Sequence, residues 1–168
     1  TIERGEASRR QPVAESAVQP DSINGGRFLI YSDDPANIVA GGLSANPVYN
    51  ITFAANAPSG ISQTGNRFLY SLAPVLTLVP DDKARAEGES NPLFTYSVSG
   101  LVGGDTALGA FSGVPLLSTV AVPGSPLGDY DIDIAQGTVL LSDFGYTLNL
   151  APAATLSVAI DPLRELTI

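Results

Sequence analysis

The chain of 168 residues has no cysteine, no histidine, no methionine and no tryptophan. Without cysteine there is neither a disulfide framework nor a thiolate zinc site, although the compartment stays open, because secreted bacterial proteins often carry none. Without histidine, the usual general base near neutral pH and the commonest transition-metal ligand are both missing, so hydrolytic triads in their ordinary form are excluded. Without methionine even at position 1, Thr1 is not a translation start, and the chain reads as a processed or excised piece of a longer precursor. Basic residues are also scarce. Lysine and arginine number 8 against 17 acidic residues, giving a net charge of −9, and Arg4, Arg9, Arg10 and Arg27 lie in or beside the amino-terminal tail. A partner such as nucleic acid or an anionic membrane needs a basic stripe, which this chain lacks. No apolar run approaches the roughly 20 residues of a membrane span, and no signal-peptide pattern opens the residues at hand. Direct membrane insertion is therefore not expected.

The apolar side chains that are present are mainly Ala, Val, Leu and Ile with some Tyr and Phe, and glycines and prolines punctuate the whole length. No interval between these breakers has room for a long amphipathic helix, whereas short runs rich in Val, Thr, Phe and Tyr recur. The fold class expected is all-β, an antiparallel β-sandwich of Greek-key or immunoglobulin-like type with an additional amino-terminal β segment. Residues 1–26 are polar and Pro-punctuated and read as an arm or linker. Residues 27–74 form a β-rich segment with strand candidates RFLIYS (27–32), VYNITFA (48–54) and RFLYSL (67–72), separated by turn chemistry. Residues 75–161 form the sandwich itself. Its expected strands are PVLTLVP, then, after a charged loop DDKARAEGES, the run NPLFTYSVSG, LLSTVAV (116–122), LGDYDIDIA (127–135), TVLLSDFGYTLNL and ATLSVAI (154–160). Residues 162–168 read as a short terminal strand or tail.

The stretch NPLFTYSVSGLVGGD (91–105) puts Phe94, Tyr96 and Val98 on one face and Leu93, Thr95 and Ser97 on the other, so the aromatic face is the expected core face. Glycines at its end suit a chain leaving a sheet. Leu101 is expected to be buried there, and Asp105 to bond nearby backbone.

The order LTLVPDDKARAEGESNPLFTYSVSGLVGGDT, LLSTVAVPGSPLGDYDIDIAQGT and FGYTLNLAPAATLSVA resembles the MBG domains found, often in tandem, in large bacterial surface proteins and in two-partner-secreted exoproteins of the filamentous haemagglutinin type. Asn91, Pro92, Gly100, Leu101, Gly104 and Asp105 match the pattern, as do Gly128, Tyr130, Ile132, Ile134, Gly137, Tyr146, Thr147 and Leu156. Glu87 stands before Gly88 where such domains often carry Tyr. The block GGRFLIYSDDPANIVAGGLSANPVYNITF through GNRFLYSLAP looks like the segment that precedes these domains where the repetitive shaft ends. What the resemblance implies is a non-enzymatic structural module, a stalk, spacer or fibre-forming unit of a secreted surface adhesin of the kind met in biofilms. Its partners would be neighbouring modules, further copies of itself through exchange of a terminal arm, or a host or matrix surface.

Other chemistry competes with that reading. Alternation in LGDYDIDIA places Asp129, Asp131 and Asp133 on one strand face, which could help to hold Ca²⁺. Same-face side chains on one strand are about 7 Å apart, so a solvated face that discourages edge pairing is the plainer explanation. No metal or cofactor is assigned. Asp33-Asp34-Pro35 and Asp81-Asp82 read as turns. A glycosidase pair from Glu87, Glu89 and Asp105 lacks a cleft and an aromatic platform, and a Ser–Lys dyad could draw only on Lys83, the single lysine. The alternative function is a Ca²⁺-dependent or carbohydrate-binding adhesin module; it needs an aromatic-lined surface, and the candidates for it, Tyr31, Tyr49 and Tyr70, are better explained as core or sheet residues.

Overall fold

The structure, a computed structural model, describes residues 27–161. The arm 1–26 and the tail 162–168, and with them any exchange of a terminal strand, lie outside the described residues. The chain divides into two compact units, Thr1–Leu72 and Ala73–Ile168.

In the first unit, β1 (Leu29–Ser32), β2 (Asn46–Val48) and β3 (Arg67–Tyr70) form a sheet of order β1-β3-β2 in which both pairings are parallel. The two similar hexapeptides RFLIYS and RFLYSL thus lie side by side, Leu29 against Arg67 and Ser32 against Tyr70. Their arginines do related work: Arg27 donates to the carbonyls of Ile61 and Gln63, and Arg67 donates to that of Thr64. Leu29, Tyr31, Val48, Ile61 and Leu69 make the core. The expected strand 48–54 is replaced by Asn46–Val48 and a turn, because Asn50 takes a left-handed φ of 58°, a region in which Asn is tolerated better than most residues. The chain is then held by Asn50 N–H on Leu72 C=O and Ile51 N–H on Tyr70 C=O.

The second unit is a β-sandwich. One sheet has order β11-β4-β6, from β4 (Val75–Pro80), β6 (Tyr96–Ser99) and β11 (Thr147–Leu150). The other has order β5-β12-β9-β8, from β5 (Lys83–Ala86), β8 (Leu116–Ser118), β9 (Gly128–Ala135) and β12 (Ala154–Ala159). A short helix α1 (Ala107–Ala110) leads into β7 (Phe111–Ser112), which pairs with β10 (Leu140–Leu141). Alternation works as expected: Leu76 and Leu78 of β4, Ile132 of β9 and Leu156 of β12 are fully buried, each contributing about 1.5–3 kcal/mol by leaving water. Phe94 packs on the cluster Ala121, Ile132, Ala154 and Leu156, so the aromatic face of 93–98 does turn inward.

The all-β expectation holds, and the sheets are mixed. The ladders β4–β6, β9–β12 and β8–β9 are antiparallel, while β4–β11 and β5–β12 are parallel. Two chain segments pass from one sheet to the other together: β4 continues into β5 through Pro80, and β11 into β12 through Pro152. Proline has no N–H for a ladder, which suits the point where pairing must change partners. Between the paired stretches five residues (151–155) face four (79–82), a bulge-like surplus on the carboxy-terminal strand. The charged run expected as a loop contains β5.

Candidate functional site

Asn91 to Asp105 is where the matching residues gather, and the structure shows what secures it. Tyr146, buried just ahead of β11, places its hydroxyl between two groups of the 101–105 loop: Val102 N–H donates to it at 3.0 Å, and it donates to the Asp105 carboxylate at 2.9 Å. Asp105 N–H closes the turn on Val102 C=O. The carboxylate expected to bond local backbone is therefore held by a hydroxyl 41 residues away. Leu101, expected to be largely buried, is half-buried. Replacing Tyr146 by Phe removes a partner from both Val102 and Asp105; the expected loss is about 1–2 kcal/mol, read as a lower midpoint in urea with unchanged slope.

Gly100 ends β6 at φ 84°, and a Cβ built on it would lie 2.0 Å from the Val75 carbonyl oxygen. Gly104, at φ 81°, has open space around the same position. The two glycines match the same pattern for different reasons, close approach of backbone in one case and turn conformation alone in the other.

Asn91 belongs to a second lock. Arg85 of β5, only 8 % exposed, donates from Nε to Asn91 Oδ1 at 2.8 Å and from its terminal nitrogens to Ala86 C=O at 3.1 Å and Val122 C=O at 2.6 Å. Asn91 in turn donates to Ala121 C=O at 2.7 Å. Pro92 follows, half-buried. Sequence reading missed Arg85 because it sits in a charged run; the available signal was the alternation of Lys83 and Arg85 with Ala84 and Ala86.

Asp129, Asp131 and Asp133 are exposed on β9, opposite Ile132, as alternation requires. They are not brought together as ligands: among the described residues no group of three or more Asp or Glu side chains is placed to hold a metal ion. Asp129 accepts from the Ser157 hydroxyl at 2.6 Å. Gly128 begins the strand, and the half-buried Tyr130 donates to Pro126 C=O at 2.9 Å.

The remaining candidates are likewise held in structural bonds. Asp34 accepts from Ala36 N–H at 2.7 Å and caps the turn at Pro35–Asn37. The Asn37 amide, donating to Asp33 at 2.9 Å, holds that carboxyl below its ordinary pKa. Lys83 donates to the Thr95 hydroxyl at 2.7 Å, and Thr95 donates to Asp81. Asp82 accepts from Thr155 N–H at 2.8 Å. Glu87 and Glu89 are exposed after β5. Tyr31, Tyr49 and Tyr70 are buried, Tyr49 stacked on Tyr70 at 5.5 Å and Tyr31 edge-on to Phe53, so they do not form the exposed platform that a sugar ring would need. Burial raises the Tyr31 phenol above its ordinary pKa, and its hydroxyl donates to Asn56 C=O.

Neither a curated protein nor a solved structure matches the chain. The glycine-ended strand at 100, the turn held by Tyr146 and the alternating β9 all fall inside one matched segment, whose limits lie within β4 and β12: residues 76–157 match the family model of the MBG domain (YGX type).

Proposed function

We propose that the chain is a structural module, a stalk or spacer, of a bacterial surface exoprotein of the adhesin type, with residues 75–161 as one link in a series and the segment 27–74 leading into it. The observation that carries this reading is the arrangement of the matched domain's ends: its first two strands run parallel beside its last two, so chain enters at one end of the paired stretch and leaves at the other. Such a path adds length to a tandem array. The residues at the matching positions support the same reading, since Asn91, Gly100 and Tyr146 all serve backbone and loop geometry. The reading gives the module no catalytic role, and neighbouring modules are its partners.

A replacement experiment tests this. Within the parent protein, residues 75–161 are exchanged for an unrelated β-sandwich of similar end-to-end length, and surface display and adhesion are measured. A spacer predicts that both persist. Loss of adhesion with display intact would assign binding to this domain and overturn the proposal.

A further inference from the structure

We infer that the paired terminal strands of the second unit are a shear clamp, the element that bears tension applied along the chain. The inference rests on the stalk reading for its biological purpose, while the property itself belongs to the fold.

Val75, the first residue of β4, lies beside Thr147, the first of β11; Ala86, the last of β5, lies beside Ala159, the last of β12. Pulling backward on Val75 and forward on Ala159 therefore slides one strand along the other, and every cross-strand bond is loaded at once. Pulling on two adjacent ends would instead open the bonds one after another.

The contact is also closed over the place where both strands change sheets. Thr147 N–H donates to Pro74 C=O at 3.1 Å, Ala151 N–H to Leu78 C=O at 2.9 Å and Glu87 N–H to Ala159 C=O at 2.9 Å. Between the last two, where proline interrupts the ladder, the Asp82 carboxylate accepts from Thr155 N–H at 2.8 Å. A side chain thus stands in for the missing backbone partner. A carboxylate acceptor makes a stronger bond than a neutral one, and Asp82 lies on the shear path without lying at either end of it.

The chain has no cysteine of its own, so paired cysteines give unique attachment points for single-molecule pulling on the full chain. Handles at Ala73 and Ile160 load the pair in shear; handles at Glu89 and Ile160 load adjacent ends. All three positions are exposed. The expected result is a severalfold higher unfolding force for the first geometry. Asp82→Ala is expected to raise the shear unfolding rate at fixed load by roughly tenfold and to leave the adjacent-end force unchanged, while Asp82→Asn, which keeps an acceptor oxygen, restores most of the shear strength. Equal forces in the two geometries would overturn the clamp. A clamp that holds in this assay together with lost adhesion in the replacement experiment would overturn the stalk reading alone.

Discussion

Gly100→Ala is expected to lower the melting temperature of the second unit by at least about 8 °C, taking about 4–8 °C per kcal/mol for a domain of this size. Two costs combine. The backbone stands at φ 84°, where an L side chain is strained, at about 1–2 kcal/mol. The new methyl would also sit 2.0 Å from the Val75 carbonyl oxygen and 3.1 Å from its carbon, so one strand must move, at about 1–3 kcal/mol for overpacking. β4 is poorly placed to yield: it is the central strand of its sheet, bonded on both flanks, and its Leu76 and Leu78 are fully buried. The total, about 2–5 kcal/mol, is a large part of the 5–15 kcal/mol that holds a typical domain together. Gly104→Ala is the internal control. Its φ is nearly the same, but nothing lies within 4 Å of the added atom, so only the conformational cost of about 1–2 kcal/mol applies. Thermal melts of the two variants that coincide would refute the close approach at Val75.

Arg85→Ala is expected to cost about 2–4 kcal/mol, because the part-buried acceptors left behind, Asn91 Oδ1 and Val122 C=O, each lose a partner at about 1–3 kcal/mol. The guanidinium is suited to the site by shape: its planar fork reaches Asn91, Ala86 and Val122 together, which a lysine ammonium cannot reproduce. Arg85→Lys is therefore expected to recover less than half of the loss. Asn91→Ala removes the other half of the lock, including the bond to Ala121 C=O. The double variant should then be less destabilised than the sum of the singles by about 1 kcal/mol, the size typical of residues in one network. Urea titrations of the four proteins measure this. Additive losses would mean that Arg85 and Asn91 act independently.

Where the chain is locally consistent, sequence was enough. The alternation of 128–135 gave both the strand and its buried face, and 75–80 and 154–159 were legible in the same way. Asn50 and Arg85 show the two kinds of miss. At Asn50 a run rich in Val, Ile, Thr and Phe was broken by a single residue in the left-handed region, and tertiary bonds to Tyr70 and Leu72 override strand propensity. At Arg85 a charged residue in a strand is buried against the Asn91 side chain and the distant Val122 carbonyl. The candidate site divides likewise: Gly100 and Asp105 were found from their pattern, but the partner of each, Val75 and Tyr146, is remote in the chain. Periodicity also says nothing about which strand lies beside which, or in what direction. The parallel pairs β4–β11 and β5–β12 therefore had to come from the structure.

Those parallel pairs also fix the order in which the domain can be completed. Thr155 and Asp82 are 73 residues apart, and closing so long a loop costs chain entropy before any contact rewards it. β4 can find β6 early, across a short connection, and β9 can wait with β8. The other flank of β4, and all of β5, have no neighbour until residues 147–159 arrive. A chain delivered amino end first, from a ribosome or through a pore, thus carries open strand edges for most of its emergence, a hazard for pairing with other chains. Residues 147–159 act as a latch, and a stop anywhere before Thr147 leaves the module unlatched.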